Sequence, residues 1–204
     1  MFDRVDIKLT AREALREYRW PSVGMLVLYV VLNSFVIAIS FGLGEFFLAP
    51  PLLIGLTVFF LGVWRRQDPQ FDTLFDGFKR YAQSLVGILW MYLFTFLWSL
   101  LFIIPGIIKG LAYSMTPYLL ADNPNLDPQK ALKISMAITE GHKGDIFVMY
   151  LSFIGWEILS AFTFGILHII FVGPYMQVAF AGMYESILSD ALARRVITEA
   201  DLQY

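Results

Sequence analysis

Two oppositely charged residues, Lys109 and Glu157, each lie inside a long apolar run. If both runs are helices, Lys109 lies about 20 Å before Asp122, and Glu157 lies about 18 Å after Asp145. A lone charge at the centre of a bilayer costs roughly 3 kcal/mol, so we predict that Lys109 and Glu157 form an ion pair at one depth. The pair could be a gate or a substrate or proton site. It could equally fix the register of two helices, or Lys109 could extend to the outer headgroups.

Further polar residues lie inside the apolar runs and could share a ligand site with this pair. Asn33 and Thr95 fall at a similar predicted depth, which suggests a polar layer across the bundle. Pro117 removes the N–H that would bond the carbonyl of Tyr113. Broken helices of this kind form binding sites in transporters, but proline kinks also occur in bundles without a site. The candidates for a ligand site or ion pair are Lys109, Glu157, Tyr113, Asn33, Thr95 and Glu185.

The composition is typical of an integral membrane protein. Of the 204 residues, 58% are hydrophobic and only 16% are charged, whereas soluble domains are about a quarter charged. The net charge of −2 leaves no basic surface for nucleic acid. The absence of cysteine excludes thiolate metal sites, disulfides and a cysteine nucleophile. No nucleotide-binding, hydrolase or metal motif occurs, so we expect no enzymatic activity, no cofactor and no metal site.

Six segments are uncharged, or nearly so, over lengths close to the roughly 20 residues that a helix needs to cross a bilayer. They are residues 23–41, 46–64, 81–104, 106–121, 146–170 and 172–188. We predict an all-α polytopic protein with one membrane domain, 1–204. Its six transmembrane helices form three hairpins, at 22–64, 81–121 and 145–192.

The lysines and arginines are segregated along the chain. Apart from Lys109, they precede the first span, lie in alternate connections and follow the sixth span; the connections near 42–45, 105–106 and 165–174 have none. The positive-inside rule then places both termini in the cytoplasm. Basic residues at the inner ends are expected to contact lipid headgroups. The candidates for this role are His142, Lys143, Arg16, Arg19, Arg65 and Arg66.

Each predicted hairpin follows a short amphipathic segment, at 9–19, 71–80 and 127–141, which we predict to be an interfacial helix. Thr10 and Glu13 match a capping box in the first, and Asp127 with Pro128 matches a helix start in the third. The three units could descend from a threefold repeat, or interfacial helices could have converged on one pattern. A threefold arrangement could enclose a cavity or form a solid bundle.

Five short motifs, taken together, form a combination specific enough to compare with known families: IIPGIIK, YSMTPY, ADNP, GHK and LSFIGW. From AREALR onward, the chain resembles the bacterial integral-membrane family catalogued as domain of unknown function 975. The residues that match its pattern are Lys109, Tyr113, Tyr118, Asp122, His142, Lys143, Trp156 and Tyr184. Where this chain has Glu157, the family usually has an apolar residue. The resemblance implies a multi-pass protein of a bacterial cytoplasmic membrane, and it carries no known activity.

Two functional hypotheses remain open. In the first, the protein binds or moves a small or amphipathic ligand through a cavity lined by spans one, four and five. In the second, it is a structural protein that binds a membrane protein partner through its cytoplasmic interfacial helices. The lipid bilayer is an expected partner in both, and the ligand could itself be a small molecule or a lipid.

Overall fold

The computed structural model describes residues 4–202 and has no strand within them, which confirms the predicted all-α class. The helices are α1 Arg4–Ser40, α2 Gly44–Trp64, α3 Asp76–Lys79, α4 Tyr81–Leu101, α5 Ile103–Tyr113, α6 Thr116–Asp122, α7 Pro128–Ile138, α8 Lys143–Phe162 and α9 Gly173–Ala193. Two short 3-10 segments, Phe71–Phe75 and Glu199–Leu202, and a π-helical turn, His168–Val172, complete them.

Four of the described helices are long and apolar enough to cross a membrane by length and composition: α1, α2, α4 and α8. The two remaining predicted spans differ from these. The predicted fourth span is divided into α5 and α6. The predicted sixth span, 172–188, lies in α9, whose mean hydropathy is lowered by Gln177, Glu185 and Asp190. Most of the other residues of α9 are buried against neighbouring helices.

Helices α2 and α9 form the centre of the bundle. In the most apolar stretch of α2, 67% of the residues are buried, against 17% in that of α4 and 22% in those of α1 and α8. Tyr184 of α9 and Phe59 and Phe60 of α2 are among the largest fully buried side chains. A Cβ on Gly182 would overlap the Trp64 ring, so a glycine at this position lets α9 approach α2 closely.

The first predicted interfacial helix is not a separate element. Residues 9–19 continue into α1, which bends at Tyr18, where φ is −103° and ψ is 23°. Pro21 explains the bend, because its ring clashes with the carbonyl four residues earlier. The predicted capping box is therefore wrong, since Thr10 lies inside α1. The third segment contains a helix, α7, whose N-cap Asp127 accepts hydrogen bonds from the N–H groups of Gln129 and Lys130, each at 3.0 Å.

The second predicted interfacial helix, 71–80, is replaced by a 3-10 segment and the single turn α3, both packed along α2. Leu74 is fully buried, and a Cβ on Gly55 would overlap its carbonyl. Phe71 stacks on Phe59 with 6.3 Å between ring centroids. After α2 the chain therefore runs back along that helix, and this contact prevents a regular helix that stands apart from the bundle.

The first helix pair, α1–α2, and the third, α8–α9, turn in the same way. Phe41 and Gly42 have φ of 52° and 87°, and Phe164 and Gly165 have φ of 52° and 80°. In each turn the glycine N–H bonds a carbonyl five residues earlier, at 3.0 and 2.9 Å, which is the Schellman arrangement. Glycine adopts this left-handed conformation at little steric cost.

The same two pairs also end alike. Both α2 and α9 are followed by two arginines, and the second arginine of each pair, Arg66 or Arg195, has φ near 55° (55° and 56°). These shared features favour a repeat that relates the first and third pairs. The second pair, α4 with α5–α6, departs from it, because an extended residue, Phe102, separates α4 from α5.

The connection between α8 and α9 turns earlier than the sequence predicted. The chain reverses at 163–165, before most of the connection predicted near 165–174. Trp156 lies 5.7 Å from Phe171 and Phe153 lies 5.4 Å from Tyr175 between ring centroids, so the π-helical turn already runs back along α8. Residues 168–175 consequently lie beside the N-terminal part of α1.

Candidate ligand-binding site

The break between α5 and α6 lies beside two cavities. α5 ends at Tyr113 and α6 begins at Thr116, with Pro117 in its first turn. The carbonyl of Ala112, in the last turn of α5, accepts hydrogen bonds from the hydroxyls of Ser135 at 2.7 Å and Thr139 at 3.3 Å. Helix α7 therefore satisfies a backbone group at the break, and such satisfaction is what permits broken helices within apolar surroundings.

Lys109 faces a cavity of about 360 Å³ between α4, α5 and α7. Its ammonium lies 5.1 Å from the centroid of Trp98 and 6.0 Å from that of Tyr113. Its closest polar contact is the sulfur of Met136, at 3.7 Å. The residues lining this cavity, named here the Lys109 pocket, are Trp90, Phe94, Trp98, Lys109, Tyr113, Gln129, Leu132, Lys133 and Met136.

The Lys109 pocket is positively charged and aromatic. Within residues 4–202, neither Lys109 nor Lys133 forms an ion pair with a carboxylate. Cation–π contacts offset part of the desolvation of an ammonium, but they supply no counter-charge. Trp90 stacks on Phe94 at 5.2 Å, so one wall is continuous π surface. This arrangement suits a ligand that has an anionic group and an apolar body.

The predicted ion pair between Lys109 and Glu157 is wrong. Both carboxylate oxygens of Glu157 lie 3.1 Å from Nδ1 of His168, on the π-helical turn after α8. The pairing was predicted from depth alone, but the two side chains point in different directions around their helices. Lys109 faces α4 and α7, whereas Glu157 faces the chain that returns from its own helix.

A second cavity of about 330 Å³ lies on the opposite side of α4 and α5, in the middle of the bundle. Thr95, Ser114 and Pro117 line it, together with Gln177 of α9. The Thr95 hydroxyl donates to the Met91 carbonyl of its own helix at 2.8 Å, so it remains an acceptor toward the cavity. Thr95 and Lys109 therefore line different cavities, separated by α4 and α5.

Asn33 has a partner outside the residues predicted for the polar layer. Its side-chain N–H donates to Glu45 at 3.5 Å, between α1 and the first turn of α2. Asn33, Thr95 and Lys109 therefore do not converge on one site, and their common depth stays a prediction. Glu45 was overlooked because it lies at the edge of an apolar run, where a charge could have faced water.

Glu185 and Arg65 were predicted in different roles, and the structure brings them together. Arg65 Nε donates to Glu185 at 2.6 Å and its Nη1 donates to Asp122 at 2.6 Å. The Tyr184 hydroxyl donates to the other oxygen of Asp122 at 3.2 Å. The hydrogen bond to Asp122 and the charges of both carboxylates raise the pKa of Arg65. We name Arg65, Asp122, Tyr184 and Glu185 the Arg65 cluster.

The structure uses several predicted headgroup residues inside the protein. His142 is buried, and its Nε2 lies 2.9 Å from Asp190 of α9, which corrects its assignment to lipid. Asp190 also pairs with Arg194 at 2.7 Å. Arg66 lies 3.7 Å from Glu13. Lys143 is half-buried at the start of α8.

Arg16 and Arg19 remain exposed, beside the start of α9.

Sequence reasoning missed the aromatic wall of the Lys109 pocket and the hydroxyls that support the helix break. A signal for the wall was present, because Trp90, Phe94 and Trp98 recur every four residues and so share one face of α4. No local signal marks Ser135 and Thr139, since their role depends on how α7 packs against α5.

The comparisons with known proteins agree with the resemblance of the sequence. The model of the family described as "Protein of unknown function (DUF975)" matches residues 1–111 and 100–191. No curated protein and no solved structure matches the chain. The apolar helices are compatible with a membrane protein. Since the matched segments together cover most of its length, the chain belongs to the DUF975 family of proteins of unknown function.

Proposed function

We propose that this chain is an integral membrane protein that binds an anionic amphiphile in the Lys109 pocket. The observation that carries this proposal is an ammonium that contacts two π faces and a sulfur, faces a cavity and has no carboxylate partner within residues 4–202. A bound carboxylate or phosphate would supply the missing counter-charge. The aromatic wall would contact the apolar part of the same molecule.

The proposed setting is a membrane crossed six times, with both termini in the cytoplasm. Four helices meet the length and hydropathy expected of spans. We assign the other two crossings to α5–α6 together and to α9. The first is broken where a carbonyl finds partners on α7, and the second is sheltered at the centre of the bundle. The family resemblance suggests a bacterial cytoplasmic membrane.

The position of the pocket suggests how a ligand could influence the break. Lys109 and Tyr113 line the pocket from the last turns of α5, and α6 begins directly after them. A ligand bound to Lys109 would therefore contact α5 close to the break between α5 and α6, and could change the angle between these helices. Movement of the ligand into the central cavity would require α4 and α5 to separate, because these helices lie between the two cavities.

Native mass spectrometry of the gently purified protein tests this proposal. We expect an anionic amphiphile to be retained by the parent and lost from Lys109→Met, which keeps the length of the side chain and removes its charge. Lys143→Met makes the same change outside the pocket and should retain the ligand. Equal retention by all three proteins, or a ligand-free parent after addition of a long-chain fatty acid, would contradict the proposal.

A further inference from the structure

A third cavity lies between the N-terminal part of α1 and the start of α9. It is separate from the Lys109 pocket and is also positively charged. Its volume is about 380 Å³. One side is formed by α1, with arginines at spacings of four and three residues, which places them on one face of a helix. The other side is apolar and aromatic. The lining residues are Arg12, Leu15, Arg16, Arg19, Ile170, Phe171, Pro174 and Tyr175, named here the arginine pocket.

The two sides of the arginine pocket are joined by specific contacts. The Tyr175 hydroxyl donates to the carbonyl of Lys8 at 3.4 Å. The Tyr175 ring lies 6.1 Å from that of Phe171 and packs edge-on against Phe153 at 5.4 Å. The ammonium of Lys8 lies 4.5 Å over the same Phe153 ring. These contacts hold α9 against α1, and the π-helical turn before α9 adds Ile170 and Phe171 to the cavity wall.

The three guanidinium groups have no counter-charge within the part of the chain that the structure describes. Neither Arg12, Arg16 nor Arg19 forms an ion pair or a hydrogen bond there. The nearby carboxylate of Glu13 lies 3.7 Å from Arg66 instead. Like charges four residues apart on a helix repel each other, and a bound anion would relieve that repulsion.

We propose that the arginine pocket binds a phosphate group, held by the guanidinium groups of Arg12, Arg16 and Arg19. Guanidinium forks match the oxygens of phosphate and form strong charge-assisted hydrogen bonds with them. Ile170 and Phe171 would contact the part of the ligand next to the phosphate. The adjacent Trp20 is 74% exposed.

The phosphate could belong to an anionic phospholipid or to a soluble phosphate compound, and one titration separates these sources. The full-length protein, in a neutral detergent, is titrated with phosphatidylglycerol and followed by native mass spectrometry. We expect saturable binding that Arg12→Gln with Arg16→Gln weakens by about a hundredfold, since each lost charge-assisted contact is worth roughly tenfold. Arg195→Gln removes an exposed charge elsewhere and should leave binding unchanged.

The competition arm uses inorganic phosphate in the millimolar range. Undiminished phosphatidylglycerol binding supports a lipid source, and displacement by phosphate supports a soluble one. Equal binding of phosphatidylglycerol by the parent and the double arginine variant, with unchanged circular dichroism, would overturn the proposal. Lys109→Met distinguishes the two sites. If Lys109→Met loses one bound amphiphile and the double arginine variant loses a different one, both proposals are supported. If only one variant loses its ligand, the proposal for the other pocket is contradicted.

Discussion

The first and second helix pairs differ in the turn, in the returning helix and in what that helix packs against. The first pair turns through Phe41 and Gly42 in the left-handed region, and α2 then continues unbroken into the core. The second pair turns through an extended Phe102, and its returning helix breaks between α5 and α6. The continuous pair supplies most of the buried packing, whereas the broken pair lines the Lys109 pocket and much of the central cavity, to which α2 contributes Leu53 and Thr57. We infer that hairpins of the regular type build the bundle, with the arginine pocket where the first and third meet, and that the irregular hairpin forms the Lys109 pocket.

The charged residues of the two pairs show the same division. Arg65, directly after α2, is matched with two carboxylates and contributes to packing. Lys109, on the broken pair, has only π and sulfur contacts and faces a cavity. A cation with satisfied partners stabilises the fold, and a cation that lacks them is available to a ligand. The following predictions test this division, from the largest expected effect to the smallest.

Loss of Arg65 should have the largest effect on stability. Arg65→Met leaves Asp122 and Glu185 without their shared cation, and we expect the free energy of unfolding to fall by about 2 kcal/mol, because the pairs are only partly exposed. SDS-induced unfolding in micelles measures this change.

The corresponding arginine after α9 provides the control. Arg194 is more exposed, at 46% of its side chain, and its partner Asp190 also contacts His142. Arg194→Met should therefore cost less than about 1 kcal/mol. Equal losses of unfolding free energy for the two variants would contradict the view that Arg65 stabilises the broken pair through Asp122.

Removal of the hydroxyls beneath the helix break should have the next largest effect. Ser135→Ala combined with Thr139→Val leaves the Ala112 carbonyl without these two donors, at a cost of about 2 kcal/mol. Ser160→Ala is the matched control in an unbroken helix, because its hydroxyl donates to Trp156 within α8 at 2.8 Å. We expect less than about 0.5 kcal/mol there, and a cost as large as at the break would refute this role of α7.

The left-handed turns should be equally sensitive in the first and third pairs. Gly42→Ala and Gly165→Ala place a Cβ in open space, so that only backbone strain, about 1 kcal/mol each, opposes them. Thermal unfolding of the two variants checks the repeat directly. Gly155→Ala, in the middle of α8 and also in open space, should leave stability unchanged or raise it. Clearly unequal losses at the two turns would break the proposed relation between the pairs.

Loss of Lys109 should have the smallest effect on the stability of the ligand-free protein. Lys109→Met removes cation–π contacts worth less than about 1 kcal/mol and also removes the cost of desolvating an ammonium. The contrast appears when a long-chain fatty acid is added. At a concentration of about a hundred times its Kd, it should stabilise the parent by roughly 2.7 kcal/mol and leave the variant unchanged. Strong destabilisation of the ligand-free variant would instead place Lys109 with Arg65, as a packing residue.

The parts of the fold that depend on local properties were predictable from the sequence. Long apolar runs predicted the all-α class, and the cap at Asp127 predicted the start of α7, because both depend on neighbouring residues alone. The side chains that surround Lys109 were not predictable in this way. Depth follows from counting residues along a helix, but the direction of a side chain depends on the rotation of that helix within the bundle.

Other signals were present in the sequence and were overlooked. Ser40-Phe41-Gly42 and Thr163-Phe164-Gly165 resemble each other, and each precedes a helix that ends before two arginines. This pattern marks the related pairs better than the amphipathic octets do, since the left-handed turn requires a residue such as glycine. The burial of residues 71–79 along α2 had no local signal, because it depends on close backbone contacts at Gly55 and Gly77.

The most direct test of the central claim is a fluorescence titration with a bromine-labelled long-chain fatty acid. Trp98 lies against Lys109 in the pocket, so bromine bound there should quench its emission. We predict saturable quenching in the parent, a smaller saturable component in Trp98→Phe, and none in Lys109→Met. Saturable quenching of the same size and midpoint in Lys109→Met would contradict the account, because the ligand would then bind without the charge on which the pocket is proposed to depend.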